Sequence, residues 1–422
     1  MSNEADRYAP ANQAGSTNNK SARTAAIAWC RGEHMKSSLR FRPVWLAILI
    51  FSFSITFCFG SERMPVAALS TGDTVYQEGT NIVVAFTGPR TVLSTSLFSG
   101  GYRNDLQAVF NHDMKRATGI TAANYLTYLA DTATSLGLDP ARVSGMGTAA
   151  SMENVAIRSE SYQTLTVTAI ATGGVEGNGG RVGDPTPYFM PGHKPAAYKP
   201  GTINIILVVD ADLPAGTLAR ALVTCTEAKT AALQELVAGS RFSTGLATGS
   251  GTDQTMIIAN PGSELYLEDA GKHSKLGELI GRTVKQAVKE ALFRQTGLSP
   301  EKQHSVLRRM NRFGVTEDML YQCYMQGGGQ ADKAHFTAVL LQIERESPLV
   351  TYTSLYVHLL DQLQWQLLSG EEVAESGNAL LRLTAGAYSV PAPAIESADL
   401  QGVVQAWADL VVAIVKNPLD MD

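Results

Sequence analysis

The stretch "TINIILVVD", residues 202–210, constrains this chain more than any other. It is almost continuously apolar and rich in β-branched side chains, the mark of a central strand covered on both faces. Asn204 is the one amide inside it. A buried amide must be hydrogen-bonded or it costs about 1–3 kcal/mol, so Asn204 reads as a tie to a neighbouring segment.

The surroundings supply strands and cover for such a sheet. "NIVVAF", "TVLSTSL", "ARVSGMGTAA", "TLTVTAIAT" and "QTMIIAN" read as further strands, the fourth with threonines outward and Leu165, Val167 and Ala169 inward. "TAANYLTYLADTATSLGL" reads as an amphipathic helix ended by Gly137 and Pro140, and a second helix follows the central strand over 214–237. A third covers 276–295, with Ser274 as N-cap and Gly297 as stop. Strands outnumber helices and some follow one another directly. The expected fold is therefore α/β of the mixed α+β kind, a mixed β-sheet core with packed helices over 61–297. Beyond it, "SPEKQHSVLRRMNRFGVTEDMLYQCYMQ" opens a helical C-terminal region over 298–422 that ends in "LQGVVQAWADLVVAIV".

Composition sets broad limits. The chain is 45% hydrophobic and 17% charged with a formal net charge of -5 and no Lys/Arg block, which is globular and argues against nucleic acid as main partner. Residues 1–34 are polar and aperiodic, a disordered or mis-annotated extension with Met35 as the expected start. Residues 35–60 combine Lys36, Arg40 and Arg42 with an apolar run over 44–59 and the small residues Cys58 and Gly60. That pattern predicts an export signal, with a membrane anchor as the alternative reading. The expected location is periplasmic or membrane-associated on the outer side, against a cytoplasmic alternative. The four cysteines lack any CxxC or Cys/His zinc spacing, so no metal site is expected. Cys225 and Cys323 read as two separate thiols in preference to a disulfide.

Three constellations carry chemistry. In "TGLATGSGTDQ", 244–254, no lysine follows Gly249 or Gly251 and a strand follows the loop, which disfavours a Walker phosphate cradle and with it a phosphotransferase. Alone, the loop reads as a Gly-rich turn with Asp253 bonding local N–H groups. The competing reading is a ligand wall made of Gly249, Gly251 and the hydroxyls of Thr248, Ser250 and Thr252. "TCTEAKTAALQEL" carries Glu227 and Lys229 on one helix, two residues apart and hence pointing in different directions. Small residues and threonines around both charges argue for close packing. His273, in "GKHSKLGELIG", precedes a helix N-terminus, and His112 also sits beside polar residues. No G-x-S-x-G elbow or H-E-x-x-H appears.

Taken in order, "LSTSLFSGGYRNDL", "GLDPARVSGMGTAASMEN", "LTVTAIATGGVEGNGGRVGD", "GTINIILVVD", "TCTEAKTAALQEL", "TGLATGSGTDQ" and "GKHSKLGELIGRTVKQAV" resemble the adenosylcobinamide amidohydrolase family. The resemblance implies hydrolysis of the amide joining aminopropanol to the corrin side chain, giving adenosylcobyric acid in corrinoid salvage. The corrinoid is then the substrate and no cofactor is implied. Amide hydrolysis needs a base or nucleophile, an oxyanion site and a proton for the leaving amine. Asp253 or Glu227 is expected as base, and Lys229 or His273 as oxyanion stabiliser or acid. Asn104, Asn204, Gly249, Gly251 and Thr252 are expected to contact substrate, and a Ser or Thr nucleophile from the same loop stays open. Ser99 and Cys225 depart from the family pattern, Ser99 where Asn is more usual. The second reading is an exported corrinoid-binding or transport-accessory protein without catalysis, with transport components as partners and membrane association through the N-terminal apolar segment.

Overall fold

The computed structural model describes residues 62–185 and 201–419. The export or anchor segment over 35–60 lies outside them. Among the described residues no helix is long and apolar enough to cross a membrane.

In chain order the strands are β1 (Arg63–Ala68), β2 (Thr74–Glu78), β3 (Asn81–Ala85), β4 (Thr91–Ser94), β5 (Gly101–Arg103), β6 (Ala108–Asp113) and β7 (Val143–Thr148). There follow β8 (Ala156–Tyr162), β9 (Leu165–Gly173), β10 (Gly179–Gly180), β11 (Ile203–Val209), β12 (Gly249–Ser250) and β13 (Gln254–Ala259). They form a five-stranded sheet ordered β1-β2-β3-β6-β7, a six-stranded sheet ordered β5-β4-β13-β11-β9-β8, and the small pair β10-β12. Both large sheets are mixed: β6 runs parallel to β7 and β11 parallel to β13, and the other neighbours are antiparallel.

The two sheets pack face to face. Ile82, Val84, Val109 and Met146 of one meet Ile170, Ile206, Val208, Met256 and Ile258 of the other. Helix α1 (Tyr125–Ser135) covers the outer face of the smaller sheet through Leu129 and Ala133. Helices α2 (Ala215–Glu235) and α3 (Lys275–Thr296) cover the outer face of the larger one through residues such as Leu218, Cys225, Ile280 and Val284. The result is a helix–sheet–sheet–helix sandwich in which β11 is buried at all seven positions, as its apolar run requires.

The second sheet corrects one expectation. Two threonines of β9 do not face solvent: Thr168 and Thr172 are 3% and 1% exposed, whereas Thr166 is half-buried. An apolar–polar alternation is ambiguous when the polar face is covered by another sheet and its hydroxyls are bonded within the fold. Thr168 bonds Ser159 at 2.7 Å, and Thr172 accepts from Asn111 Nδ2 at 2.8 Å. Asn204 completes this inter-sheet seam, donating to Asn111 Oδ1 at 2.8 Å and to Gly147 O at 3.1 Å.

The C-terminal helices are α4 (Pro300–Gln303), α5 (Val306–Met310), α6 (Glu317–Gln326), α7 (Lys333–Ile343), α8 (Ser347–Gln364), α9 (Gly370–Ala387) and α10 (Leu400–Leu419). They enclose their own core around Phe336, Tyr356 and Trp407. Their starts follow the caps in the sequence: Ser299, Ser305, Thr316, Asp332 and Ser369 each accept from a backbone N–H of the first turn.

Candidate active site

The Gly-rich loop and α2 meet at one buried ion pair. Lys229 Nζ lies 2.5 Å from Asp253 Oδ2, with side chains 11% and 10% exposed. Asp253 sits in the turn that leads into β13. Its Oδ1 accepts from Ile203 N at 2.8 Å and Ser250 Oγ at 2.6 Å, and its Oδ2 accepts from Ser250 N at 3.0 Å. The carboxylate therefore does what a turn-forming aspartate does and also ties the loop to β11 and α2. With four donors on two oxygens, its charge is compensated despite burial.

The backbone must come close for this arrangement. A Cβ on Gly249 would stand 2.4 Å from Asp253 Oδ2 and 2.9 Å from Lys229 Nζ, so no other residue fits without displacing the pair. Strand β12 that carries Gly249 is held by β10, Gly180 pairing with Gly249 and Gly179 with Ser250. Thr248 extends the lock, accepting from Val182 N at 2.9 Å. At the loop tip the Thr252 hydroxyl meets that of Thr202 and lies 3.2 Å from Gly201 O.

Lys229 faces a cleft of about 540 Å³ whose walls include Arg181, Val182, Asp184, Thr226, Phe242 and the backbone of β12. Val182 and Phe242 are 82% and 43% exposed, an unusual apolar pairing beside a charged floor. Asp184 accepts from Arg181 N at 2.7 Å and Ser240 Oγ at 2.5 Å, which fixes one rim of the cleft against the other.

The other expected site residues are distributed differently. Gly251 and Thr252 are exposed at the loop tip, and Gly251 lines the cleft. Glu227 points away from Lys229, as residues two apart on a helix must, and pairs with Lys272 at 3.1 Å. His273 is exposed beside Lys272, and neither it nor Glu227 lines the cleft. The motif around His273 is occupied with helix architecture: Ser274 caps α3 by accepting from Gly277 N at 3.0 Å. Any side chain on Gly277 would strike the Gly271 carbonyl. Asn104 is exposed beyond β5, which runs away from the cleft end of the sheet because Ser94 pairs with Gly101 and Val92 with Arg103. Asn204 is buried in the inter-sheet seam, one residue from Ile203 whose N–H reaches Asp253. Sequence reasoning did not single out Arg181, Asp184 or Phe242, which come from loops without periodicity. The S-x-x-D spacing of Ser250 and Asp253 was the readable signal for a side-chain-closed turn.

His112 is structural. Its Nδ1 bonds Asn81 Oδ1 and its Nε2 bonds the Tyr128 hydroxyl, both at 2.7 Å, and burial pushes its pKa down. Cys225 and Cys323 are free thiols, and burial pushes Cys225 up to about 12. Among the described residues no group of three or more His, Cys, Asp and Glu side chains is arranged to hold a metal ion.

Sandwich and site together define the class first: an α/β protein with a lysine on the floor of a concave, apolar-rimmed cleft, compensated by a carboxylate paired behind it. Comparison with known proteins then places it. The family model for adenosylcobinamide amidohydrolase matches residues 67–300, and the chain belongs to that family. It is 32% identical over 234 residues to an uncharacterised protein of Methanocaldococcus jannaschii, covering 53% of this chain and 89% of the relative. A solved structure from Pyrococcus horikoshii shares 13% identity at a TM-score of 0.27, covering 61% of this chain and 92% of that one, a likeness too slight to bear on fold or function.

Proposed function

We propose that the chain hydrolyses the amide between the corrin side chain and aminopropanol of adenosylcobinamide, releasing adenosylcobyric acid, and that the Lys229–Asp253 pair performs the chemistry. The observation that carries this reading is Lys229 on the cleft floor with Asp253 paired directly behind it and reached from the cleft through Ser250, inside the span matched by an amidohydrolase family. Val182 and Phe242 offer apolar surface suited to a macrocycle edge, and the backbone of β12 offers polar groups suited to the amide arm.

In the mechanism we infer, water attacks the amide carbonyl and gives its proton to Asp253 through the Ser250 hydroxyl, which lies 2.6 Å from Oδ1. The Lys229 ammonium faces the developing oxyanion and then supplies a proton to the departing nitrogen as the C–N bond breaks. Asp253 is left protonated and Lys229 neutral. The Asp253 carboxyl, which meets Lys229 through its other oxygen Oδ2, then returns its proton to Lys229 by reorienting, and the starting pair is restored, so each turnover consumes one water and one amide. Glu227 and His273 stand outside this scheme, on the far side of α2.

The test is product analysis. Purified chain incubated with adenosylcobinamide is expected to yield adenosylcobyric acid and aminopropanol by chromatography. Tight binding with no cobyric acid would replace this reading with the corrinoid-binding alternative.

A further inference from the structure

The C-terminal helices lie outside the family span of residues 67–300, yet they grip the one segment that links Lys229's helix to the Gly-rich loop. Arg312 engages Asp361 of α8 through both guanidinium ends, at 2.7 and 2.6 Å, and also donates from Nη1 to Thr244 O at 2.5 Å. Gln364, one turn further along α8, donates to the Thr244 hydroxyl. Upstream, Gln303 donates to Leu236 O at 2.6 Å and Val237 O at 3.0 Å, just where Val237 adopts a left-handed backbone. The segment so held, residues 236–244, carries Ser240, which bonds Asp184, and Phe242, which lines the cleft. The catalytic pair itself is anchored separately by β11, β12 and Ser250.

We propose that Arg312 is a positioning residue for the active cleft, and that the helical region acts as a clamp setting the substrate-facing wall formed by Phe242 and by Asp184, which Ser240 holds. This rests on the amidohydrolase reading for what the cleft binds. Because the clamp touches the wall and not the Lys229–Asp253 pair, loosening it weakens substrate capture and spares the chemical step. A lysine at 312 keeps the charge opposite Asp361, but one ammonium cannot reproduce the planar fork that reaches Asp361 and Thr244 together.

The experiment uses the full chain with Arg312→Lys and the milder Gln364→Ala. Each is measured for KM and kcat on adenosylcobinamide and for deuterium uptake of peptides covering 236–250. Arg312→Lys is expected to raise KM about tenfold with kcat within about twofold, and Gln364→Ala to move KM in the same direction by less. Uptake over 236–250 is expected to rise while β9 and β11 stay protected. Unchanged KM in both folded variants overturns the proposal, as does an equal loss of kcat. If the unaltered chain neither binds nor cleaves the corrinoid, the proposed function fails and exchange alone decides the clamp: unchanged uptake over 236–250 in Arg312→Lys overturns it, and raised uptake there supports it.

Discussion

Lys229 and Asp253 are 24 residues apart in the chain and lie 2.5 Å apart in space, one on α2 and the other in the turn before β13, both nearly enclosed. Removing one member of a buried pair leaves the other charge uncompensated, which typically costs about 3–5 kcal/mol. Lys229→Met and Asp253→Asn are each expected to lower stability measurably. The double variant should lose less than the sum, since the two effects share one interaction. Chemical denaturation of the four proteins gives the coupling; strict additivity would show that the pair does not act as a unit.

Gly249 and Gly251 separate close approach from mere loop flexibility. Gly249→Ala puts a methyl group into the space of Asp253 Oδ2 and Lys229 Nζ, and a loss of activity of at least about 100-fold is expected from the displaced pair. Gly251→Ala meets nothing within 4 Å and should remain within a few-fold of wild type. Equal sensitivity at the two positions would indicate that the loop matters as a hinge and not through the contact.

Glu227→Gln and His273→Ala address the acid–base candidates on the other side of α2. Both residues are exposed and neither lines the cleft, so activity within about threefold of wild type is expected for each. A large fall in kcat for either variant, with KM retained, would move the chemistry away from Lys229 and Asp253.

His112 gives the fold a pH signature. Burial lowers its pKa in the native state while the unfolded chain keeps the ordinary value of about 6.5. The unfolded state therefore binds the extra proton first. Its stabilising contribution is complete above that value and is lost as pH falls below it. Nδ1–H donates to Asn81 Oδ1, so the added proton goes to Nε2, where the Tyr128 hydroxyl must turn from donor to acceptor, while Asp113 favours the charge less than burial opposes it. His112→Gln is expected to flatten the decline in melting temperature between pH 7 and pH 5; an unchanged slope would assign that decline to other groups.

Local pattern made the sandwich half visible. β11, α2 and α3 follow from runs and caps that depend only on neighbouring residues, and Ser274 and Gly297 end α3 where a cap and a left-handed stop are readable. The second sheet was not readable as a separate layer, because Thr168 and Thr172 look solvent-facing until that sheet covers their face and Asn111 bonds Thr172 across the seam. The site divides in the same way. Asp253 and Lys229 carry recognisable motifs, but their contact arises from chain reversal around β12, which no periodicity encodes. Glu227 was indistinguishable from Lys229 by composition of its surroundings; only helix phase and the loop holding Lys272 separate them. Ser99 adopts a φ of 53°, a left-handed conformation that asparagine tolerates better than serine and that no local pattern announces.

The most direct measurement is aminopropanol release from adenosylcobinamide by wild type, Lys229→Met and Asp253→Asn, with folded protein confirmed by circular dichroism. Release by wild type, reduced at least about 1,000-fold in kcat by each substitution, is the expected result for a pair that supplies both base and acid. Wild-type rates in either folded variant would contradict the assignment of catalysis to this pair.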